Sequence, residues 1–241
     1  MSIDLQHIRA VVFDYGNTLV EFTARHVEAL DAAIAAAMQA AFGPFDLRRY
    51  AELRRHGYRS PYSHPELRES TVPELLHGLV RELFARTPRD AELEAIVAAH
   101  DEQFVRLVDA PDYLHGLLER LRLRYRLALV SNYPCGRSIR RSLARTGIDR
   151  YMDALLVSGD VGHVKPHPLL FRTIAQSLDV APGQAVFVGD NWLGDVQGAK
   201  RSGMWAVHTR QFDTLELFDR EEGHHDADLV IRHLSELEEH L

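Results

Sequence analysis

The 241-residue sequence has few of the features that mark secreted, membrane-spanning or nucleic-acid-binding proteins. Its single cysteine, Cys135, cannot form an internal disulfide, which fits a reducing compartment. The longest apolar run, residues 32–38, is too short and too rich in alanine to cross a bilayer. A net charge of −7 argues against a nucleic-acid backbone as the main partner. The first residues resemble no signal peptide, so we predict a soluble, cytoplasmic protein without a membrane or nucleic-acid partner.

Short apolar runs alternate with amphipathic helical stretches from Pro111 to the end of the sequence. Each run is apolar throughout, which is typical of strands in a parallel sheet covered by helices on both faces. A further run of this kind, Ala10–Phe13, stands near the start of the chain. The sequence therefore predicts an α/β fold with a doubly wound parallel sheet. The later strands are predicted at Leu127–Ser131, Ala154–Ser158, Ala185–Asp190, Trp205–His208 and Leu229–Ile231.

A helical insertion is predicted between the first strand and the others. This part of the sequence shows helical periodicity and no convincing alternation of apolar and polar residues. We expect a helical domain at residues 23–108, with residues 1–22 and 109–241 forming the α/β domain. Its four helices are predicted at His26–Phe42, Leu47–Tyr58, Val72–Ala85 and Ala91–Val108.

Polar residues that could take part in catalysis or ligand binding follow three of the predicted strands. Asp14 follows the first strand, Ser131 ends the next, and Asp190 ends a third, with Asp195 five positions later. Lys165 stands in a loop before Pro166-x-Pro168. Because ligands of such folds bind beyond the carboxyl ends of the strands, we expect these side chains to share one site. Asp190 lies before its helix, so its carboxylate and that of Asp195 can face one ion.

These residue types suit phosphoryl transfer. A carboxylate can attack phosphorus and form an aspartyl-phosphate intermediate. Neighbouring carboxylates repel one another, which implies a hard cation such as Mg²⁺. A lysine and a hydroxyl, together with backbone amides, can hold the oxygens of the phosphate.

The order and spacing of these motifs resemble the haloacid dehalogenase (HAD) superfamily, in its form with a helical cap between the first and second motifs. The resemblance implies a Rossmann-like core, with Asp14 as the nucleophile and Ser131 and Lys165 as stabilisers of the phosphate and the nucleophile. We expect Asn132, beside Ser131, to contact the substrate as well. The motifs are Asp14-x-x-x-Thr18-Leu19, Ser131, Lys165-Pro166-x-Pro168 and Gly189-Asp190-x-x-x-x-Asp195.

The resemblance also implies a metal site. Asp14, Asp190 and the backbone carbonyl of Gly16 are expected around Mg²⁺, with Asp195 as a direct or supporting ligand. Gly16 departs from the pattern of the superfamily's phosphatases, which carry there a second Asp that protonates the leaving oxygen and then activates water. Glycine keeps the carbonyl but removes an acid–base group of a kind that contributes about 10²–10⁴-fold to the rate.

Three interpretations of the protein's function are compatible with glycine at position 16. The enzyme could be a phosphatase that takes its proton from water, the substrate or a residue such as His26. It could be a carbon–halogen hydrolase resembling 2-haloacid dehalogenases, whose leaving group needs no proton, or a catalytically weak regulatory protein that binds phosphate or metal. Because Asp190 and Asp195 are retained, we favour a Mg²⁺-dependent phosphatase of a small phosphorylated metabolite.

We expect the helical insertion to contact the substrate and to determine which substrate is bound. Arg25 and His26 follow the first motif closely, so we predict that they bind it. The sequence leaves the substrate itself open, and the oligomeric state, monomer or homodimer, is open too.

Overall fold

Within the described residues, six parallel strands form one sheet. The computed structural model describes residues 7–212 and 226–241. Residues 1–6 and 213–225 lie outside this part, and with them His224 and His225, for which the sequence predicts a solvated loop. In the sheet, the strand order is β3-β2-β1-β4-β5-β6. The predicted α/β class with a parallel sheet is confirmed. The strands are β1 (Ala10–Phe13), β2 (Arg126–Ser131), β3 (Ala154–Val157), β4 (Ala185–Gly189), β5 (Trp205–Thr209) and β6 (Leu229–Ile231).

Both faces of β1 are buried, which explains its continuous apolar run. Val11 and Phe13 belong to one hydrophobic cluster, while Ala10 and Val12 belong to the cluster on the other side of the sheet. Helices cover each face, as expected for buried parallel strands. Phe13 pairs in register with residues near the ends of both neighbouring strands, β2 and β4. The carboxyl ends of these three strands therefore lie side by side.

Four long helices, α1 to α4, follow β1 in the chain, as the sequence predicts. We call Ala24–Leu107 the helical segment. It packs helix against helix and also contacts the α/β part through α4 and α6. The helices are α1 (Ala24–Phe42), α2 (Leu47–Ser63), α3 (Val72–Phe84), α4 (Asp90–Leu107), α5 (Leu114–Arg122), α6 (Gly136–Thr146), α7 (Ser158–Val161), α8 (Pro168–Ser177), α9 (Gly198–Arg201) and α10 (Leu237–His240).

Helix α2 is longer than predicted. The polar break at Ser60 and Pro61 was expected to end it near residue 58, but the helix continues to Ser63. The last turn of α2 contacts a residue that is distant in sequence: the hydroxyl of Tyr62 accepts a hydrogen bond from Asn132 Nδ2 at 3.0 Å. Local propensity did not decide the boundary here. No helix within the described ranges has the length and apolar character needed to span a membrane.

Candidate active site

Asp14 and Lys165 form the centre of the site. Asp14 directly follows β1, and its backbone N–H donates to the carbonyl of Val188 in β4 at 2.9 Å. Lys165 Nζ donates to Asp14 Oδ1 at 2.6 Å and to the carbonyl of Val130 at 2.9 Å. The same ammonium lies 2.7 Å from Asp195 Oδ1, and Lys165 is only 2% exposed. A buried ammonium is thus held between two carboxylates at the carboxyl ends of β1 and β2.

Asp190 and Asp195 are brought together by the turn after β4. Asp190 lies before a π-helical stretch, Trp192–Gln197, that contains Asp195. The N–H of Asn191 donates to Asp195 Oδ2 at 2.9 Å and fixes that carboxylate. A Cβ atom at Gly189 would lie 2.2 Å from Asp195 Oδ2, so the close approach of this carboxylate to β4 requires glycine. The expectation that both carboxylates face one point despite their spacing agrees with this geometry.

The carboxylates of Asp14, Asp190 and Asp195 form a cluster whose charge suits a cation. One oxygen from each lies within 4.8 Å of the others, and all three residues are buried. Burial raises the pKa of Asp14 to about 6, although Lys165 opposes that rise. Burial, followed by the charges of Asp14 and Asp195, raises the pKa of Asp190 well above its usual range. Three buried carboxyls share one lysine, and this all-oxygen donor set fits a hard divalent cation such as Mg²⁺.

The charge of Lys165 is stabilised by the same cluster. Burial by itself would lower the pKa of this lysine. The charges of Asp14 and Asp195 outweigh burial and raise the pKa of Lys165 above its usual range. Lys165 is therefore a fixed positive charge beside Asp14 and not a proton donor.

Packing does not require glycine at position 16. A Cβ atom there would lie 3.4 Å from Cβ of Phe22, and Gly16 does not have a positive φ angle. The neighbouring Asn17 does, with φ of 56°, and its Oδ1 accepts from the N–H of Phe22 at 2.9 Å. The sharp part of the turn is thus at Asn17, and a side chain at position 16 is sterically acceptable.

Asn132 braces the loop that carries Lys165. Its Oδ1 accepts from the N–H of Lys165 at 2.7 Å, and its Nδ2 donates to the Lys165 carbonyl at 3.0 Å. Its Nδ2 also contacts the hydroxyl of Tyr62, as described above. Asn132 and Ser131 both line the cavity beside Asp14. The side chain predicted to contact the substrate is therefore engaged in holding Lys165 in place.

A cavity of about 220 Å³ extends from Asp14 between the sheet edge and the helical segment. Its far walls are largely apolar but include the polar residues Tyr62, Glu69 and Tyr133. Of these, Glu69 and Tyr133 were not identified from the sequence. Glu69 lies in an irregular polar stretch without periodicity, so no sequence pattern indicated its position. The apolar wall residues include Val20, Phe22, Leu30, Ile34, Val72, Leu76, Phe104 and Val108.

The structure does not bring Arg25 and His26 to this cavity. The side chain of Arg25 is 71% exposed and pairs at 2.5 Å with Glu21, which lies before the start of α1. His26 is buried at the start of α1, where its Nδ1 accepts from the N–H of Thr23 at 3.0 Å. Neither belongs to the described residues that line the cavity. Closeness to the first motif in sequence was misleading because the first turn of α1 directs both side chains elsewhere.

Comparison with known proteins identifies the family. The sequence model of the haloacid dehalogenase-like hydrolases matches residues 8–203. A glyceraldehyde 3-phosphate phosphatase of Methanopyrus kandleri is 31% identical over 206 residues, covering 85% of this chain and 84% of that protein. A ribulose-1,5-bisphosphate 5-phosphatase of Halopiger xanaduensis is 27% identical, covering 95% and 97% of the two chains.

Solved structures show the same fold. The 2-haloacid dehalogenase from Pseudomonas syringae pv. Tomato DC3000 superposes with a TM-score of 0.71 at 24% identity, covering 96% of this chain and 97% of that one. A HAD phosphatase from Thermococcus onnurineus has a TM-score of 0.63 at 25% identity, with coverage of 96% and 97%. Likeness to a dehalogenase at this level of identity concerns the fold and does not identify the reaction.

Proposed function

Because this chain belongs to the haloacid dehalogenase-like hydrolases, we propose that it is a phosphatase that hydrolyses small phosphate monoesters through an aspartyl-phosphate on Asp14. The observation that carries the proposal is the buried Lys165–Asp14 contact of 2.6 Å beside two further carboxylates. Halide displacement from carbon needs no metal, so the additional negative charge would be a liability in a dehalogenase. The two full-length relatives named as phosphatases also support this choice.

In the proposed reaction, a carboxylate oxygen of Asp14 attacks phosphorus and the leaving alcohol departs. Lys165, which is fixed by Asn132 and the Val130 carbonyl, offsets negative charge on the nucleophile and on the phosphoryl oxygens. Ser131 lines the same cavity, and its proposed role is to donate its hydroxyl to a phosphoryl oxygen. Water then releases phosphate from Asp14.

We assign the metal site to the carboxylates of Asp14, Asp190 and Asp195 with the backbone carbonyl of Gly16. When bound there, Mg²⁺ would neutralise charge on the phosphoryl group. Gly16 lines the cavity, and its carbonyl is the one feature of the usual Asp that glycine retains.

We assign the roles of the two parts of the chain in the same way. Residues 23–108 form a cap, and residues 1–22 and 109–241 form the catalytic core. The cavity between α1, α3, α4 and the sheet edge supports this division, because it has walls from both parts. The protein is assigned to the cytoplasm, in keeping with the one cysteine, Cys135, which is unpaired.

Removing the nucleophile tests the proposal. Asp14→Asn should abolish release of phosphate from p-nitrophenyl phosphate in the presence of Mg²⁺, while leaving the fold intact, since the two side chains are nearly the same size. EDTA should abolish the activity of the wild-type protein. Full activity of Asp14→Asn would contradict the mechanism. Release of halide from 2-haloacids without metal would instead support a dehalogenase, and binding of Mg²⁺ or phosphate without turnover would support a regulatory role.

A further inference from the structure

The proposed phosphatase reaction leaves one requirement without a residue, and the inference below rests on that proposed function. An alkoxide is a poor leaving group, so efficient P–O cleavage needs a proton donor within the cavity. The position that usually carries it holds Gly16. If the protein supplies the proton, rather than water or the substrate, the donor is another described residue of the cavity wall.

Three other residues are poor candidates for the proton donor, because of their position, their contacts or their acidity. His26 is not at the cavity, and its Nδ1 is used at the start of α1. His100 does line the cavity, but its Nε2 lies 3.0 Å from the hydroxyl of Tyr133 and its Nδ1 lies 3.4 Å from Asp101. Tyr62 accepts its bond from Asn132 Nδ2 and so keeps its own proton, but burial raises the pKa of its hydroxyl above the usual range, which makes it a weaker acid.

Glu69 lies at the wall of the same cavity as Asp14. Its backbone N–H donates to the carbonyl of Gly162 at 3.0 Å, and Val164 N–H donates to the carbonyl of Leu67 at 2.9 Å. These bonds attach residues 67–69 to the strand-like stretch just before Lys165. The segment that carries Glu69 is thus positioned by the same loop as the lysine at the centre of the site.

The side chain of Glu69 is also fixed. Ser158, the first residue of α7, donates its hydroxyl to Glu69 Oε2 at 2.7 Å. Ser158 Oγ in turn accepts from the N–H of Tyr133 at 2.8 Å, directly after Ser131 and Asn132. The carboxyl group is therefore connected by one side chain to the loop at the end of β2.

The protonation of Glu69 suits an acid that works near neutrality. Burial raises its pKa to about 7, although the bond from Ser158 opposes that rise. The titratable groups on the surrounding elements are Tyr62, Tyr133, His163, Lys165 and, in α7, Asp160; Glu66 and Arg68 lie in the same stretch as Glu69. The Tyr133 hydroxyl is bonded to His100, and His163 Nδ1 lies 2.9 Å from the carbonyl of Glu66. The charge of Glu69 contributes to the raised pKa of Tyr62.

We infer that Glu69 is the general acid and base of this enzyme, in place of the aspartate that Gly16 lacks. As Asp14 forms its bond to phosphorus, the bond from phosphorus to the leaving oxygen breaks and that oxygen takes the proton of the Glu69 carboxyl. The carboxylate then accepts a proton from the water that attacks the aspartyl-phosphate. Cleavage of the P–O bond to Asp14 releases phosphate and leaves Glu69 protonated again, so one water is consumed for each ester.

The test compares two esters in the Mg²⁺-loaded, full-length protein. Phenyl phosphate needs a proton for its leaving group, whereas 2,4-dinitrophenyl phosphate does not. In rapid-mixing experiments, Glu69→Gln should slow release of phenol in the first turnover about 10²-fold and slow release of dinitrophenol by no more than about threefold. Glutamine can still accept the Ser158 bond, so the fold should persist. Glu66→Gln, an exposed change in the same stretch, is the matched control and should behave as wild type.

The outcomes separate the two proposals. An equal loss on both esters, or no loss on phenyl phosphate, would overturn the role of Glu69 and leave the phosphatase intact. Absence of phosphate release by the wild-type protein from either ester would overturn both. A second variant, Ser158→Ala, keeps the carboxyl and removes a bond that lowers its pKa. The alkaline limb of kcat/KM for phenyl phosphate should then move to higher pH; an unmoved limb would exclude Glu69 as its source.

Discussion

The raised pKa of Glu69 lets us predict how the free energy of unfolding changes with pH, whether or not Glu69 takes part in catalysis. Burial raises this pKa from 4.5 to about 7. Below pH 4.5 the carboxyl is protonated in both the folded and the unfolded protein, so it carries no penalty. Above pH 7 it is charged in both, and the folded protein bears the cost of a buried charge. The free energy of unfolding is therefore higher at low pH, where Glu69 is neutral, and falls as the pH rises through about 7 and the buried carboxyl ionises.

The size of the effect follows from the shift. A difference between 4.5 and about 7 corresponds to roughly 3 kcal/mol as an upper limit. Since Glu69 is half-buried and faces a cavity, we expect about 2 kcal/mol. Glutamine has the same shape and no charge, so Glu69→Gln removes this cost. The variant should therefore gain about 2 kcal/mol relative to wild type between pH 5 and pH 8.5.

Thermal or urea unfolding in EDTA at the two pH values measures this gain. For a chain of this size, 2 kcal/mol corresponds to a difference in Tm of about 4–8 °C. Contributions from Asp14 and Asp190 are present in both proteins and cancel in the comparison. Glu66→Gln serves as the control, and its difference from wild type should stay constant with pH. A constant difference for Glu69→Gln as well would refute the reasoning about its burial.

Four further substitutions test other parts of the site. Gly16→Asp should alter kcat for phenyl phosphate less than about tenfold, because a donor is already present; a gain of about 10²-fold would contradict this. Gly189→Ala places Cβ 2.2 Å from Asp195 Oδ2, so the Mg²⁺ concentration for half-activation should rise at least about tenfold. An unchanged titration would mean that the turn adapts. Arg25→Ala and His26→Ala should leave KM within about twofold, since neither side chain lines the cavity; a higher KM would restore them as substrate contacts.

The order of strands and helices was readable from the sequence because burial on both faces makes parallel strands uniformly apolar. Ala10–Phe13 was predicted with the bounds that the structure has. Boundaries failed where a distant contact decides them. The last turn of α2 continues through Pro61 to Ser63, where Tyr62 meets Asn132, a residue 70 positions later. No local pattern contains that information.

The residues of the site also differ in how far the sequence predicts their positions. Asp14, Ser131 and Asp190 were predicted to share an edge because strand ends are fixed by the parallel register, and the structure places them together. Residues outside the sheet were less accessible to such reasoning. Glu69 reaches the cavity only because its stretch pairs with residues 162–164, and the sequence gives no sign of that pairing.

The change from Asp to Gly at position 16 also has an electrostatic consequence. An aspartate there would add a fourth carboxylate beside Asp14 and Asp190, whose pKa values are already raised by burial and by neighbouring carboxylates. Its protonation would depend on the metal and on the ionisation of Asp14. The pKa of Glu69 is set instead by burial and by the hydroxyl of Ser158. Placing the proton donor on the helical segment thus separates acid–base chemistry from the carboxylate cluster, and it makes proton transfer dependent on that segment staying paired with the Lys165 loop.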